Sequence, residues 1–330
     1  MTISPSHSAI RIATRDSPLA MWQAEFVADQ LTKSGHEVDL VPLVSTGDVD
    51  MRPIDGTRQV GVFTKRIQQA LVDNEADVAV HSLKDLPTAA DDRFHLAAIT
   101  RRGEVRDSLV TSDGCSLADL PDRARVGTGS MRRRAQLLSH RADLCVSPIR
   151  GNVQTRLEKL ASGEFDAIVL AEAGLIRLGL SDVRRSVFDL DVLLPAPGQG
   201  ALGIEVRRDD QHASDALNQI DDLATHACVV AERAALSSLD GGCLAPIAAH
   251  GSIRGDQLNL AVIVLSYDGR NRLAETMTDT GFSETLTRSE LRQEVLKRAA
   301  QLGIAAGNAL LEAGAAELIQ TTRDVTGPSR

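Results

Sequence analysis

Ile10 and Ile12 alternate with Arg11 and Ala13, the period of a strand. Ser17 and Pro18 then supply an N-cap and a first-turn proline, and Leu19, Trp22 and Phe26 recur at helical spacing until Gly35. This strand, turn and helix unit repeats. Residues 38–44 read as a strand, Phe63, Ile67 and Leu71 as a helical stripe, and residues 77–80 as a short buried strand running into His81-Ser82-Leu83-Lys84-Asp85. In a second series, Arg125-Val126 leads into Gly127-Thr128-Gly129-Ser130 and a helix from Met131. Residues 145–149 lead into Arg150-Gly151-Asn152 and a helix through Leu157 and Leu160, and residues 166–170 form a further strand. Such alternation predicts mostly parallel sheets in two α/β domains.

The Pro/Gly-rich run from Leu194 to Gly200 precedes a strand at 203–206 that should return to the first sheet, so that two crossings form a hinge over a cleft. Beyond residue 220 the pattern changes to a helical stretch over 224–239, then Gly241-Gly242-Cys243, alternating Leu258, Leu260, Val262 and Val264, and a helical pattern from 291 to 318. The expected division is residues 1–103 with 203–220, residues 104–202, and a smaller α+β domain at 221–330.

Composition narrows the function. A chain of 330 residues exceeds what one core usually organises. Its net charge of −9 and its 2% aromatic content disfavour nucleic acid as a partner. No apolar run reaches the ~18 residues of a membrane span, and the first residues lack a signal-peptide pattern, so a cytoplasmic protein without a membrane partner is expected. Cys115, Cys145, Cys228 and Cys243 form no C-x-x-C pair and the eight histidines show no ligand spacing, so no metal is expected. No complete G-x-G-x-x-G, P-loop or G-x-S-x-G is present.

Of the 36 basic residues only five are lysine, and the arginines gather at strand-to-helix turns: Arg15, the run Arg132, Arg133 and Arg134, and Arg150 with Arg156. A cation in the first helical turn opposes the macrodipole by ~0.3–1 kcal/mol, so three together predict an anionic ligand, phosphate or carboxylate. Asp85 should emerge at the cleft end of a strand, where it serves either as a proton carrier or as a cap or surface pair. Cys243, after two glycines, is either an approachable thiol or an inert filler.

Long segments occur here in a specific order: Arg11-Ile12-Ala13-Thr14-Arg15-Asp16-Ser17-Pro18-Leu19-Ala20, His81-Ser82-Leu83-Lys84-Asp85-Leu86-Pro87, Val126-Gly127-Thr128-Gly129-Ser130-Met131-Arg132-Arg133, Arg150-Gly151-Asn152 and Leu239-Asp240-Gly241-Gly242-Cys243. Through nearly its whole length the chain resembles the porphobilinogen deaminase (hydroxymethylbilane synthase) family. The resemblance implies two periplasmic-binding-protein-like α/β domains with a hinge and a smaller α+β C-terminal domain. It implies a transferase of tetrapyrrole biosynthesis, usually monomeric, that condenses four porphobilinogens into hydroxymethylbilane and releases ammonia. The primer is a dipyrromethane cofactor bonded to Cys243 through a thioether. Asp85 matches the family's catalytic aspartate. Lys84, Ser82, Thr128, Ser130, Arg132, Arg133, Arg156 and Asn152 would hold the cofactor, and Arg15, Ser17, Arg150, Arg177, Gln199 and Phe63 the substrate.

Departures from the family pattern are local. The segment 51–60 lacks the lysines common in the family's flexible loop, with Arg52 and Arg58 as possible substitutes. Gly129 and Val105 stand where serine and proline are common. A competing class, a non-catalytic protein whose two lobes close on an anion, shares the same arginine turns.

Overall fold

A computed structural model describes residues 9–44, 64–89, 91–240, 245–282 and 291–326. Phe63, Cys243 and the 51–60 segment, named above as candidate site elements, lie outside the described residues.

The first lobe opens with β1 (Ile10–Arg15), α1 (Pro18–Lys33), β2 (Val38–Leu43), α2 (Lys65–Val72), β3 (Val78–Ser82) and β4 (Phe94–Ile99). β1 runs parallel to β2, with Ile10 opposite Val38, and to β3, with Ile12 opposite Val78. The continuous apolar run of β3 is explained by burial on both faces. Val78 and Val80 pack with Ala24, Val27 and Leu31 of α1, while Ala79 packs with Ile67, Ala70 and Leu71 of α2.

The second lobe contains β5 (Asp107–Thr111), β6 (Arg125–Gly127), α3 (Met131–His140), β7 (Cys145–Ser147), α4 (Val153–Ala161), β8 (Ala167–Ala171), α5 (Glu172–Arg177) and β9 (Arg185–Val187). The chain then returns to the first sheet as β10 (Leu202–Arg207). The two five-stranded sheets have the orders β2-β1-β3-β10-β4 and β7-β6-β8-β5-β9. In each, the fourth strand arrives from the other lobe and is antiparallel to both neighbours: β10 against β3 and β4, β5 against β8 and β9. The expectation of mostly parallel sheets therefore needs amendment at these positions. The crossings lie side by side, with Gly103 N donating to Gly200 O at 3.1 Å. Gly200 has φ +84°, and a Cβ there would sit 2.7 Å from Glu104 O, so this hinge position requires glycine.

After α6 (Gln211–Asn218), the third unit comprises α7 (Leu223–Ser238), the antiparallel strands β11 (Ile247–Arg254), β12 (Gln257–Leu265) and β13 (Arg272–Thr280), then α8 (Arg292–Glu312) and α9 (Ala315–Thr326). Leu258, Leu260, Val262 and Val264 of β12 face the helices, as their alternation predicts. The opposite face, Ile263 and Leu265, packs on Ala135 and Leu194 of the second lobe and hinge. Among the described residues no single helix is long and apolar enough to cross a membrane.

Candidate functional site

The turn after β3 is fixed by Leu83. Its N–H donates to Ala201 O at 3.1 Å, and its fully buried side chain fills the space beside Gly198 and Gly203, where an added Cβ would meet it at 3.1 and 2.5 Å. Pinned this way, the one-turn 3-10 segment Leu83–Asp85 presents Lys84 half-buried and Asp85 exposed. Lys84 Nζ lies 3.3 Å from Gln199 Oε1 on the second crossing. Gln199 is fully buried, and its Nε2 donates to Val105 O (2.7 Å) and Asp107 Oδ1 (2.9 Å).

Asp107 opens β5 with 0% exposure and is the centre of the arrangement. Its Oδ2 accepts from Arg132 Nη2 and its Oδ1 from Arg133 Nη2, each at 2.7 Å. The second terminal nitrogens of the two arginines donate to Leu194 O (2.6 Å) and Val169 O (3.0 Å). The Nε atoms of both are buried and have no hydrogen-bond partner among the described residues. The third arginine of the run, Arg134, donates to Val146 O and lies over the Tyr267 ring at 4.4 Å, joining α3 to the third unit.

This geometry corrects the charge argument made from sequence. Three cations at the start of α3 do not by themselves require a ligand, because a buried carboxylate of the same chain answers two of them. Asp107 was missed as a site residue. The available signal was an acid at the head of the apolar run Leu109-Val110, immediately after a crossing. The arginines and Lys84 hold the Asp107 carboxyl far below the usual carboxylate range, against the desolvation that alone would raise it. Burial, then the Arg133 charge, brings the Lys84 ammonium from 10.5 down to about 8, with Asp85 and Asp107 pulling the other way.

Around this centre, Ser130 caps α3 by accepting from Arg133 N, and the buried Thr128 Oγ1 accepts from Ser130 N at 3.2 Å. Asn152 caps α4, accepting from Thr155 N (2.9 Å) and Thr155 Oγ1 (3.1 Å), so its oxygen is spent on the helix. Arg156 Nε donates to Gly151 O at 2.8 Å. Its pKa falls to about 10 through desolvation and the charges of Arg133 and Arg150, while Asp85 pulls it back up, which places Asp85 within electrostatic reach of Arg156. Arg177 donates to Gly200 O at 2.7 Å with its guanidinium 5.5 Å from the Trp22 ring centre, spanning the two lobes at the hinge. Desolvation lowers it too to about 10.

On the first-lobe side, Arg15 ends β1, and Ser17 occupies the N-cap of α1 without a side-chain cap bond. Ser82 Oγ pairs with the Gln23 amide at 2.8 Å. Thus Lys84, Asp85, Arg132, Arg133, Arg156 and Gln199 converge, while Ser82 and Asn152 are engaged locally.

A second buried acid was also missed. Glu232 of α7, 0% exposed, accepts from Arg102 Nη1 (2.5 Å) and Nη2 (3.1 Å), Gly198 N (2.6 Å) and Gly251 N (2.7 Å). It joins both crossings to the third unit.

Two α/β lobes joined by paired crossings, with Lys84 of one lobe near Arg133 and Arg156 of the other, define a two-lobed, hinged class of protein. Residues 10–215 match the model of the porphobilinogen deaminase dipyromethane cofactor binding domain, and residues 226–312 that of the porphobilinogen deaminase C-terminal domain. The chain belongs to the porphobilinogen deaminase family. Porphobilinogen deaminase of Corynebacterium glutamicum (strain R) is 43% identical over 313 residues, covering 94% of this chain and 98% of that one. That of Chlorobium chlorochromatii (strain CaD3) is 42% identical over 315 residues, covering 94% and 97%. Among solved structures, the Bordetella pertussis BvgS VFT2 domain aligns at 15% identity with a TM-score of 0.39, over 65% of this chain and 87% of that one.

Proposed function

We propose that this protein condenses four porphobilinogens stepwise into hydroxymethylbilane, releasing one ammonia at each condensation, on a dipyrromethane primer joined to Cys243. The observation that carries this reading is the convergence of Lys84, Arg133 and Arg156 on the turn that exposes Asp85. The residues present suit such a primer. Its acetate and propionate groups are carboxylates, and Arg132 and Arg133 each keep a buried Nε–H without a partner among the described residues. When bound, the dipyrromethane supplies a pyrrole carbon as nucleophile.

The chain's own residues do the rest. Arg132, Arg133, Arg156 and Lys84 bind carboxylates by charge-assisted hydrogen bonds, with Thr128, Ser130 and Asn152 fixing the helix starts that carry the arginines. Arg15, Ser17, Arg150, Arg177 and Gln199 receive the incoming porphobilinogen, Arg177 and Gln199 from the hinge. Asp85 is an anion beside two desolvated cations. Facing the pyrrole nitrogens, it stabilises the positive charge that develops on the substrate as ammonia leaves, and it helps carry away the proton lost from the carbon being joined. The three domains in this reading are residues 1–103 with 203–220, residues 104–202, and residues 221–330. The enzyme acts as a monomer in the cytoplasm.

Intact mass tests the proposal. Purified protein should exceed its sequence mass by two linked pyrroles, and Cys243→Ser should abolish the excess. A folded wild-type chain that carries no adduct and releases no hydroxymethylbilane from porphobilinogen would overturn it.

A further inference from the structure

We infer that Asp107 is the positioning residue of the cleft: one buried carboxylate fixes both arginine forks and the hinge glutamine, and so sets the orientation and net charge offered to a ligand's carboxylates. This rests on the reading given under Proposed function and extends it to a residue not included there.

The placement of Asp107 is dictated by the sheet. It pairs with Ala171 across β5 and β8, and its carbonyl accepts from Phe188 N at 2.9 Å. From that rigid base the carboxylate reaches Arg132 and Arg133 at 2.7 Å and the Gln199 amide at 2.9 Å. Gln199 in turn faces Lys84 at 3.3 Å with its other amide atom. Partners on α3, on the second crossing and, through Gln199, on the turn after β3 are thereby referred to one anion. Each terminal nitrogen of Arg132 and Arg133 spends one N–H on a protein acceptor, and neither Nε–H has a partner among the described residues. The charge count follows the same logic. Lys84, Arg132 and Arg133 bring three positive charges, and Asp107 offsets one of them. Three uncompensated cations in a desolvated pocket would repel one another and disperse.

The test compares Asp107→Asn, which keeps the shape and loses the charge, with Asp107→Glu, which keeps the charge and displaces it by one methylene. Circular dichroism and thermal melting establish folding. Apoprotein is then incubated with porphobilinogen, the fraction carrying two linked pyrroles is followed by intact mass, and KM and kcat are measured across pH. In folded Asp107→Asn, loading should slow by roughly tenfold or more, because a misaimed clamp loses pre-organisation. The alkaline limb of kcat/KM should move to lower pH, since Lys84 loses one anion while Arg132, Arg133 and Asp85 still act on it. Asp107→Glu should restore the limb but still load slowly. A folded Asn variant with wild-type loading and an unmoved limb overturns the inference. Should the Asn variant not fold, Asp107→Glu decides, and wild-type loading with unchanged KM overturns the inference. Wild-type protein that takes up no adduct overturns the proposed function as well, whereas a loaded wild type beside an indifferent Asn variant overturns only the positioning role.

Discussion

Raising the pH from neutral to about 9 is expected to remove one cation from the cleft, that of Lys84. Burial, reinforced by Arg133 and Arg132, holds this ammonium at about 8 in the folded protein, against an ordinary value of 10.5. By the usual conversion the folded cleft disfavours the charged form by about 3 kcal/mol. Between about pH 8 and 10.5 the unfolded chain therefore binds more protons at this site than the folded one, and stability rises through that window. Ligand binding works the other way, because carboxylates placed beside Lys84 raise its pKa and draw in a proton. With a midpoint of about 8 the ammonium is ~90% populated at pH 7 and ~10% at pH 9, so KM for porphobilinogen should climb by up to about tenfold per pH unit above the midpoint. The assay is the pH profile of KM for wild type and for Lys84→Arg, whose guanidinium stays charged throughout. The substitution should flatten the alkaline limb. If Lys84→Arg rises with pH exactly as wild type does, the Lys84 charge is not what the substrate feels, and the reasoning fails.

Other residues lead to separate expectations. Asp85→Asn should fold and melt like wild type yet lose at least ~100-fold in kcat with KM changed only a few-fold, as measured by release of hydroxymethylbilane. Glu232→Ala strands the Arg102 guanidinium and two backbone N–H groups, so denaturant unfolding should show a loss of about 3–5 kcal/mol, and a loss under about 1 kcal/mol would mean that the buried pair is not holding the hinge. Gly200→Ala forces a Cβ against Glu104 O at a positive φ, so kcat and KM should shift together with a destabilisation of about 1–3 kcal/mol, measured by steady-state kinetics and thermal melting.

The α/β alternation was legible because Ile10 and Ile12 of β1 alternate with Arg11 and Ala13, β3 is a short apolar run, and Ser17-Pro18 and Gly35 bound the helix between them. β5 escaped notice for a physical reason. β5 begins Asp107-Ser108, two polar residues whose burial depends on partners that local periodicity does not identify: Arg132 and Arg133 on α3, and Glu172, which accepts from Ser108 Oγ at 2.5 Å. The same limit explains the site. The arginine turns could be located from spacing, but their counter-ion could not, since Asp107 is 25 and 26 residues away from the two guanidiniums that it meets. Glu232 looked like one more acid in a helix, and its importance lies wholly in the crossings folded over it. Asp85 stood out by position, but its weighting as a catalytic group, like that of Cys243, came from the resemblance.

The close approach of α7 and α8 has a consequence far from the cleft. A Cβ at Gly303 would lie 2.1 Å from Ala231 O, and one at Gly307 2.6 Å from Ser238 Cβ, so the two rods touch backbone to backbone. α7 ends at Ser238, five positions before the sulfur that is proposed to moor the primer. A single methyl group added to the partner rod would therefore shift the end of α7, and a fault at residue 303 or 307 is expected to register as lost chemistry without any atom of the reaction centre having been altered.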